Sequence, residues 1–270
     1  MKDISHYSQV WQWRTPRARL LLWLGWVALV ALFVWCWQLM TENTIWAFVQ
    51  DAPDQAIDIG TRMMPPSWSY LPELLGPLWD TINIATLGTA IGVIMAVPIA
   101  FLAARNTTPS VCFARPVALF IIVTSRSINS LIWALLLVTV IGPGLLAGIL
   151  AIAFRSIGFV GKLLYEAIEE SDHRQIEAVR ATGAARSQVL VYGYVPQLLP
   201  AFWGITVFRW DINIRESTIL GLVGAGGIGL QLQGSLNTLA WPQVTMILLL
   251  ILGTVVVSEW VSARIRRAII

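Results

Sequence analysis

Charge is scarce in this sequence. Only 12% of its 270 residues are Asp, Glu, Lys or Arg, against a soluble-domain average of ~25%. Cysteine and histidine are scarcer still, at two each. Cys36 and Cys112 have no CxxC or Cys/His neighbour and are expected on opposite sides of a bilayer, which excludes a disulfide scaffold or a cysteine metal site. They read as small apolar fillers. His6 and His173 each stand alone, against a histidine-based metal or catalytic centre. No GxxxxGK[ST] occurs, so the chain cannot hydrolyse ATP through a phosphate-cradling loop of its own.

Apolar residues, by contrast, make up 57% of the chain, with 14 tryptophans, where ~45–50% apolar is usual. The expectation is an all-α polytopic membrane protein. Each spanning helix needs ~20 apolar residues, which leaves no room for a large extramembrane domain. Arg14, Arg17 and Arg19 precede an apolar run over 20–40 that is longer than the ~7–15 residues of a signal-peptide core. No small-x-small cleavage site follows the run, so it is expected to stay attached as a first spanning helix.

Further apolar runs lie at 77–104, 116–141, 145–163, 191–216 and 241–262, six in all. With six spans, thirteen of the eighteen basic residues fall on one side, which the positive-inside rule makes the cytoplasm. Both termini, 1–19 and 263–270, are then cytoplasmic. Residues 41–76 form an extracytoplasmic acidic loop, with Glu42, Asp51, Asp54, Asp58 and Glu73 against Arg62 alone. Trp23, Trp26, Trp35 and Trp37 read as interfacial or lipid-facing anchors. Trp11 and Trp13 suggest a short helix along the inner leaflet.

Two spans carry polar interruptions. One is Thr124-Ser125-Arg126-Ser127-Ile128-Asn129-Ser130; the other runs from Arg209 through Asp211, Asn213, Arg215 and Glu216 to Ser217. On a helix, Asp211 and Arg215 share one stripe, and Arg209, Asn213 and Glu216 another. Such groups either neutralise each other or line a watery route. A central arginine costs ~2.5–3.5 kcal/mol to insert and usually faces a bundle interior or such a route. An arginine fork presents two parallel donors that suit a tetrahedral oxyanion. Arg155 is expected to snorkel to the inner interface.

A glycine-rich stretch with Gly224, Gly226, Gly227 and Gly229 follows. It satisfies GxGxxG, but no acidic residue stands ~20 positions on, as a dinucleotide site would need. These glycines permit either a re-entrant bend with close backbone approach or ordinary small-residue helix packing. Between the fourth and fifth spans, 25 or so polar residues read as two short helices, the first starting with Glu166, Glu169 and Glu170 and a break at Gly183. A loop of this length among short ones suggests partner docking.

Within that loop Glu177-Ala178-Val179, then Gly183, then Pro196 resembles the EAA motif of ABC importer permeases, EAA-x3-G-x9-I-x-L-P. Val179, Gly193 and Val195 replace Ala, Ile and Leu. Arg180-Ala181-Thr182-Gly183-Ala184 and the run Arg215 to Gly229 are similar to permeases of phosphonate and phosphite importers. The resemblance covers about 77–262 and implies a type I permease fold, with 166–186 as the loop that couples to a cytoplasmic ATPase. It implies a homodimer with two ATPase subunits that use ATP and Mg, no cofactor on this chain, and an extracytoplasmic phosphonate- or phosphite-binding protein. Glu177, Ala178, Gly183 and Pro196 would couple to the ATPase. Arg126, Ser127, Asn129, Arg209, Asn213, Arg215, Glu216 and Ser217 would line the route, and the four glycines would gate it. A permease of the same build for methionine or another solute, and an ATP-independent channel, are the competing readings.

Overall fold

The computed structural model describes residues 16–42 and 44–269; His6, Trp11, Trp13 and Arg14 lie outside them. Every regular element among the described residues is helical. The chain divides into two compact units, one up to Asp58 and one from Ile59. Four helices are long and apolar enough to cross a membrane, or six if each of two bent pairs is one span.

The first unit holds α1 (Pro16–Glu42) and most of α2 (Trp46–Arg62). Nothing in the scored window of α1 is buried within the protein, the pattern of a span that meets lipid all round. The acidic segment after it is not a plain loop. Seventeen of its residues form α2 even with Pro53 inside.

In the second unit, α3 (Leu71–Ala103) and α6 (Leu145–Glu169) pack closely along small residues. A Cβ on Gly88 would stand 2.7 Å from Ile152 Cγ2, and one on Gly92 2.6 Å from Ser156 Cβ. This Gly-xxx-Gly spacing brings the two backbones together. α6 is the most buried of the four long helices, α1 the least.

The span expected over 116–141, with its polar interruption at 124–130, is broken there. α4 (Ala114–Ser127) and α5 (Ser130–Ile141) meet at 92°. Ile128 and Asn129 are extended, and the Asn129 side chain accepts from the Leu131 amide at 3.3 Å, capping α5. A polar residue that caps a new helix stops the old one.

The loop between spans also differs from expectation. Glu166 and Glu169 close α6, and the loop helix is α7 (His173–Ala181), capped where Asp172 accepts from the Arg174 amide. Next come α8 (Arg186–Val189), a wide turn at Leu190–Tyr194, α9 (Val195–Leu220), α10 (Ile228–Asn237) and α11 (Trp241–Ile269). The glycine stretch separates α9 from α10, with a bend of 43°.

Candidate functional site

The buried polar groups converge where α3, α6 and α9 meet. Arg209, 1% exposed, donates from Nε to Ser156 Oγ at 3.0 Å and lies 5.1 Å from the Phe159 ring centre. Its Nη2 is 3.4 Å from Glu216 Oε2. The other oxygen of Glu216 is 3.5 Å from Arg155 Nε, and Arg155 Nη1 donates to Asn129 Oδ1 at 2.8 Å. Asn213 Nδ2 donates to Thr89 Oγ1 and Ser156 Oγ. One connected set thus runs from the break between α4 and α5 through α6 to α9 and α3. Glu216 is shared by arginines from two helices, and its single negative charge offsets one of their two positive charges.

Arg155 does not snorkel. It sits in the middle of α6, held sideways by Asn129 and Glu216. Its two partners are remote in sequence, so no local spacing announces them. Ser156, Thr89 and Phe159 were equally silent, being ordinary residues of apolar helices.

Asp211 and Arg215 form the second stripe. Arg215 Nη2 donates to Asp211 Oδ2, and Ser258 of α11 donates to Asp211 Oδ1 at 2.8 Å. The Asp211 carboxylate therefore ties α9 to α11, while Arg215 stays largely exposed. Ser217 is fully buried and donates to the Ile214 carbonyl at 2.8 Å, a backbone-directed bond common for serine in helices.

Arg126 and Ser127 stand apart from this network, exposed on the last turn of α4. The Ser125 hydroxyl, bonded to the Phe154 carbonyl and the Gly158 amide, fixes that turn against α6. A Cβ on Gly158 would lie 2.8 Å from Arg126 Cγ, so the arginine stem crosses α6 at a glycine. Arg126 and Lys162 line a cleft of about 360 Å³ with Tyr165. Lys162 is paired with Glu166 at 3.5 Å; Arg126 makes no ion pair among the described residues. The sequence reading put Lys162 among the orienting charges and did not assign it to the route.

The glycine stretch folds back on the bundle. Gly224, Gly226 and Gly227 have φ of +86°, +82° and +75°, the region that glycine alone enters freely. The Gly144 amide donates to the Gly224 carbonyl, and the Ile228 amide to Thr81 Oγ1. At Gly229 a Cβ would come 2.0 Å from the Thr218 carbonyl oxygen. Tight backbone approach thus accounts for these glycines.

On the polar loop, Glu177 and Ala178 are exposed on α7, while Ile176 between them and the bundle is 1% exposed. Ile176 packs among Ala104, Leu164, Ile168, Tyr194 and Leu198. Gly193 lies against it, with ideal Cβ to Ile176 Cα of 3.6 Å. Gly183 ends α7 at φ +79°, its amide bonded to the Arg180 carbonyl. Pro196 follows directly on the wide turn at Leu190–Tyr194, in a stretch that is helical from Arg186 onward. Gln197 accepts from the Asp172 amide at 2.9 Å and joins the start of α7 to α9. An open hollow of about 550 Å³ beside α7 is lined by Ala178, Val179, Thr182, Gly183, Gln188 and Tyr192, with Ala184 at its edge.

Comparison with known proteins gives the family to which a chain of this build belongs. Residues 88–270 match the family model described as binding-protein-dependent transport system inner membrane component. The phosphite transport system permease protein PtxC of Stutzerimonas stutzeri is 39% identical over 249 residues, 90% of this chain and 88% of that protein. The phosphate-import permease protein PhnE of Mycolicibacterium smegmatis is 41% identical over 82% of this chain, which spans only 41% of that longer protein. In fold, the permease chain of an inward-facing MetNI methionine ABC transporter superposes with a TM-score of 0.65, covering 76% of this chain and 99% of that one at 22% identity. The chain belongs to the inner membrane components of binding-protein-dependent transport systems, a multi-pass type I ABC permease grouping with those of phosphonate and phosphite transporters.

Proposed function

We propose that this permease carries a phosphorus oxyanion, a phosphonate or phosphite, into the cell across the cytoplasmic membrane of a bacterium. It works as a homodimer of six-span subunits with both termini in the cytoplasm. Two ATPase subunits, using ATP and Mg, dock on the 166–186 loops, and an extracytoplasmic binding protein delivers the solute. Glu177, Ala178, Gly183 and Pro196 transmit the ATPase movement, Ile176 being the peg through which α7 moves the bundle. Gly224, Gly226, Gly227 and Gly229 close the route.

Arg126 carries the reading of the solute. It is separated from Arg115 along α4 by about 17 Å at 1.5 Å per residue, and the positive-inside rule puts Arg115, paired with Glu169, at the cytoplasmic end. An exposed arginine without an ion pair, that far from the interface, has to face water or a subunit interface and not lipid. Lys162 and Tyr165 continue the cleft towards the cytoplasm, a run of donors suited to an anion. Arg209 and Arg155 share Glu216, which offsets part of their charge, so they shape the route without holding the anion so tightly that it cannot leave.

The test is ATP hydrolysis by the permease reconstituted with its ATPase and binding protein, with phosphite, methylphosphonate, aminoethylphosphonate, phosphate and methionine offered in turn. Stimulation by a phosphorus oxyanion above phosphate and methionine supports the reading. Stimulation by methionine alone transfers it to an amino-acid permease of the same build.

A further inference from the structure

Helix α2 has a face that nothing in its own unit covers; none of its residues is buried. Projected at 100° per residue, Gln50, Asp51, Asp54, Gln55 and Asp58 fall on one half of the helix. The other half runs from Phe48 and Ile59 at one edge, through Val49 and Ala56, to Trp46 and Ile57 at the other. Phe48 and Ile57 are each 65% exposed and Trp46 50%. A two-faced helix of this kind buries its apolar half in something.

Both ends of α2 are tied to the ends of apolar helices. α1 ends at Glu42 and α2 begins at Trp46, a connection that reaches no more than about 10–14 Å. Just beyond its other end, Thr245 Oγ1 donates to the Met63 carbonyl at 2.9 Å and the Ser67 amide to the Pro242 carbonyl at 3.2 Å. Those bonds hold residues 63–67 at the first turn of α11. A helix about 25 Å long, leaving one span and tied to the start of another, is held at the membrane surface.

We propose that α2 lies in the plane of the membrane–water interface at the end of α1, its Val49–Ala56 face sunk among lipid and its aspartates in water. The occupant of the apolar face is the bilayer. The polar face is acidic where most interfacial helices are basic, so α2 is held by apolar burial and gains nothing from anionic lipid. This inference rests on the family's membrane setting and is independent of the solute carried.

The experiment uses the full chain with Cys36→Ser and Cys112→Ser, both cysteines being exposed and free, reconstituted in phosphatidylcholine vesicles. Single cysteines replace Val49, Ala52, Ala56, Asp51, Asp54 and Gln55 in turn and carry nitroxide labels. Spin-relaxation accessibility is read with oxygen, which partitions into lipid, and a water-soluble nickel chelate. The expected result is severalfold oxygen preference at 49, 52 and 56, nickel preference at 51, 54 and 55, and no change when anionic phosphatidylglycerol is added. Nickel access all round overturns the proposal by placing α2 in water. Protection of the apolar face from both reagents overturns it in favour of a protein partner. All six sites are exposed, so labelling leaves the bundle intact.

Discussion

Replacing Glu216 with glutamine removes the one carboxylate shared by Arg155 and Arg209. At 3.5 and 3.4 Å and an effective dielectric of ~20, each attraction is about 5 kcal/mol before desolvation is counted. The two arginines do not lose equally. Arg155 keeps its bond to Asn129 and is 29% exposed, so water recovers much of its loss; Arg209 is 1% exposed and cannot reach water. Stranding one partner of a buried pair costs ~3–5 kcal/mol. Ser156 and the Phe159 ring still face Arg209, so the expected loss is near the lower limit, about 3 kcal/mol. Equilibrium unfolding in mixed lipid–detergent micelles reads it, as a double-mutant cycle with Arg209→Gln. The double variant is expected to be more stable than the two single losses summed, by about 2 kcal/mol. Additivity to within ~0.5 kcal/mol would refute the view that Glu216 neutralises Arg209.

Three other substitutions test separate parts of the structure. Arg126→Ala touches no ion pair and is expected to leave folding unchanged while abolishing most transport; unchanged uptake kinetics in proteoliposomes would remove Arg126 from the route. Glu177→Arg reverses a charge on the exposed face of α7 and is expected to lower copurification of the ATPase at least tenfold, with normal thermal stability of the permease alone as the control. Gly229→Ala forces a methyl group onto the Thr218 carbonyl, 2.0 Å from the ideal Cβ position, and overpacking of that kind costs ~1–3 kcal/mol or more; a stable, fully active variant in thermal and uptake assays would show that α9 and α10 can separate freely.

What the sequence made legible was local. Arg209, Asn213 and Glu216 stand four and seven apart at most, so helical spacing alone put them on one stripe, and the structure joins them there. Asp211 and Arg215 follow the same rule. Contacts across the chain were not legible. Arg155 meets Glu216 over 61 positions, and only the packing of α6 against α9 brings them together. The polar run Thr124–Ser130 marked where that span is interrupted, but not that Asn129 caps a second helix set at 92° to the first. In α2 the aspartates drew the reading to charge, although their spacing already carried a helical period. Ile176 and Val179, three apart in a polar loop, were the signal that could have revealed how that loop is anchored.

The most direct test is uptake of labelled phosphite by vesicles holding the permease and its ATPase, with binding protein outside and ATP inside. The account predicts accumulation against a gradient that requires ATP and is competed by methylphosphonate but not by methionine. Phosphite entry that proceeds equally without ATP, or accumulation of methionine in place of phosphite, would contradict it.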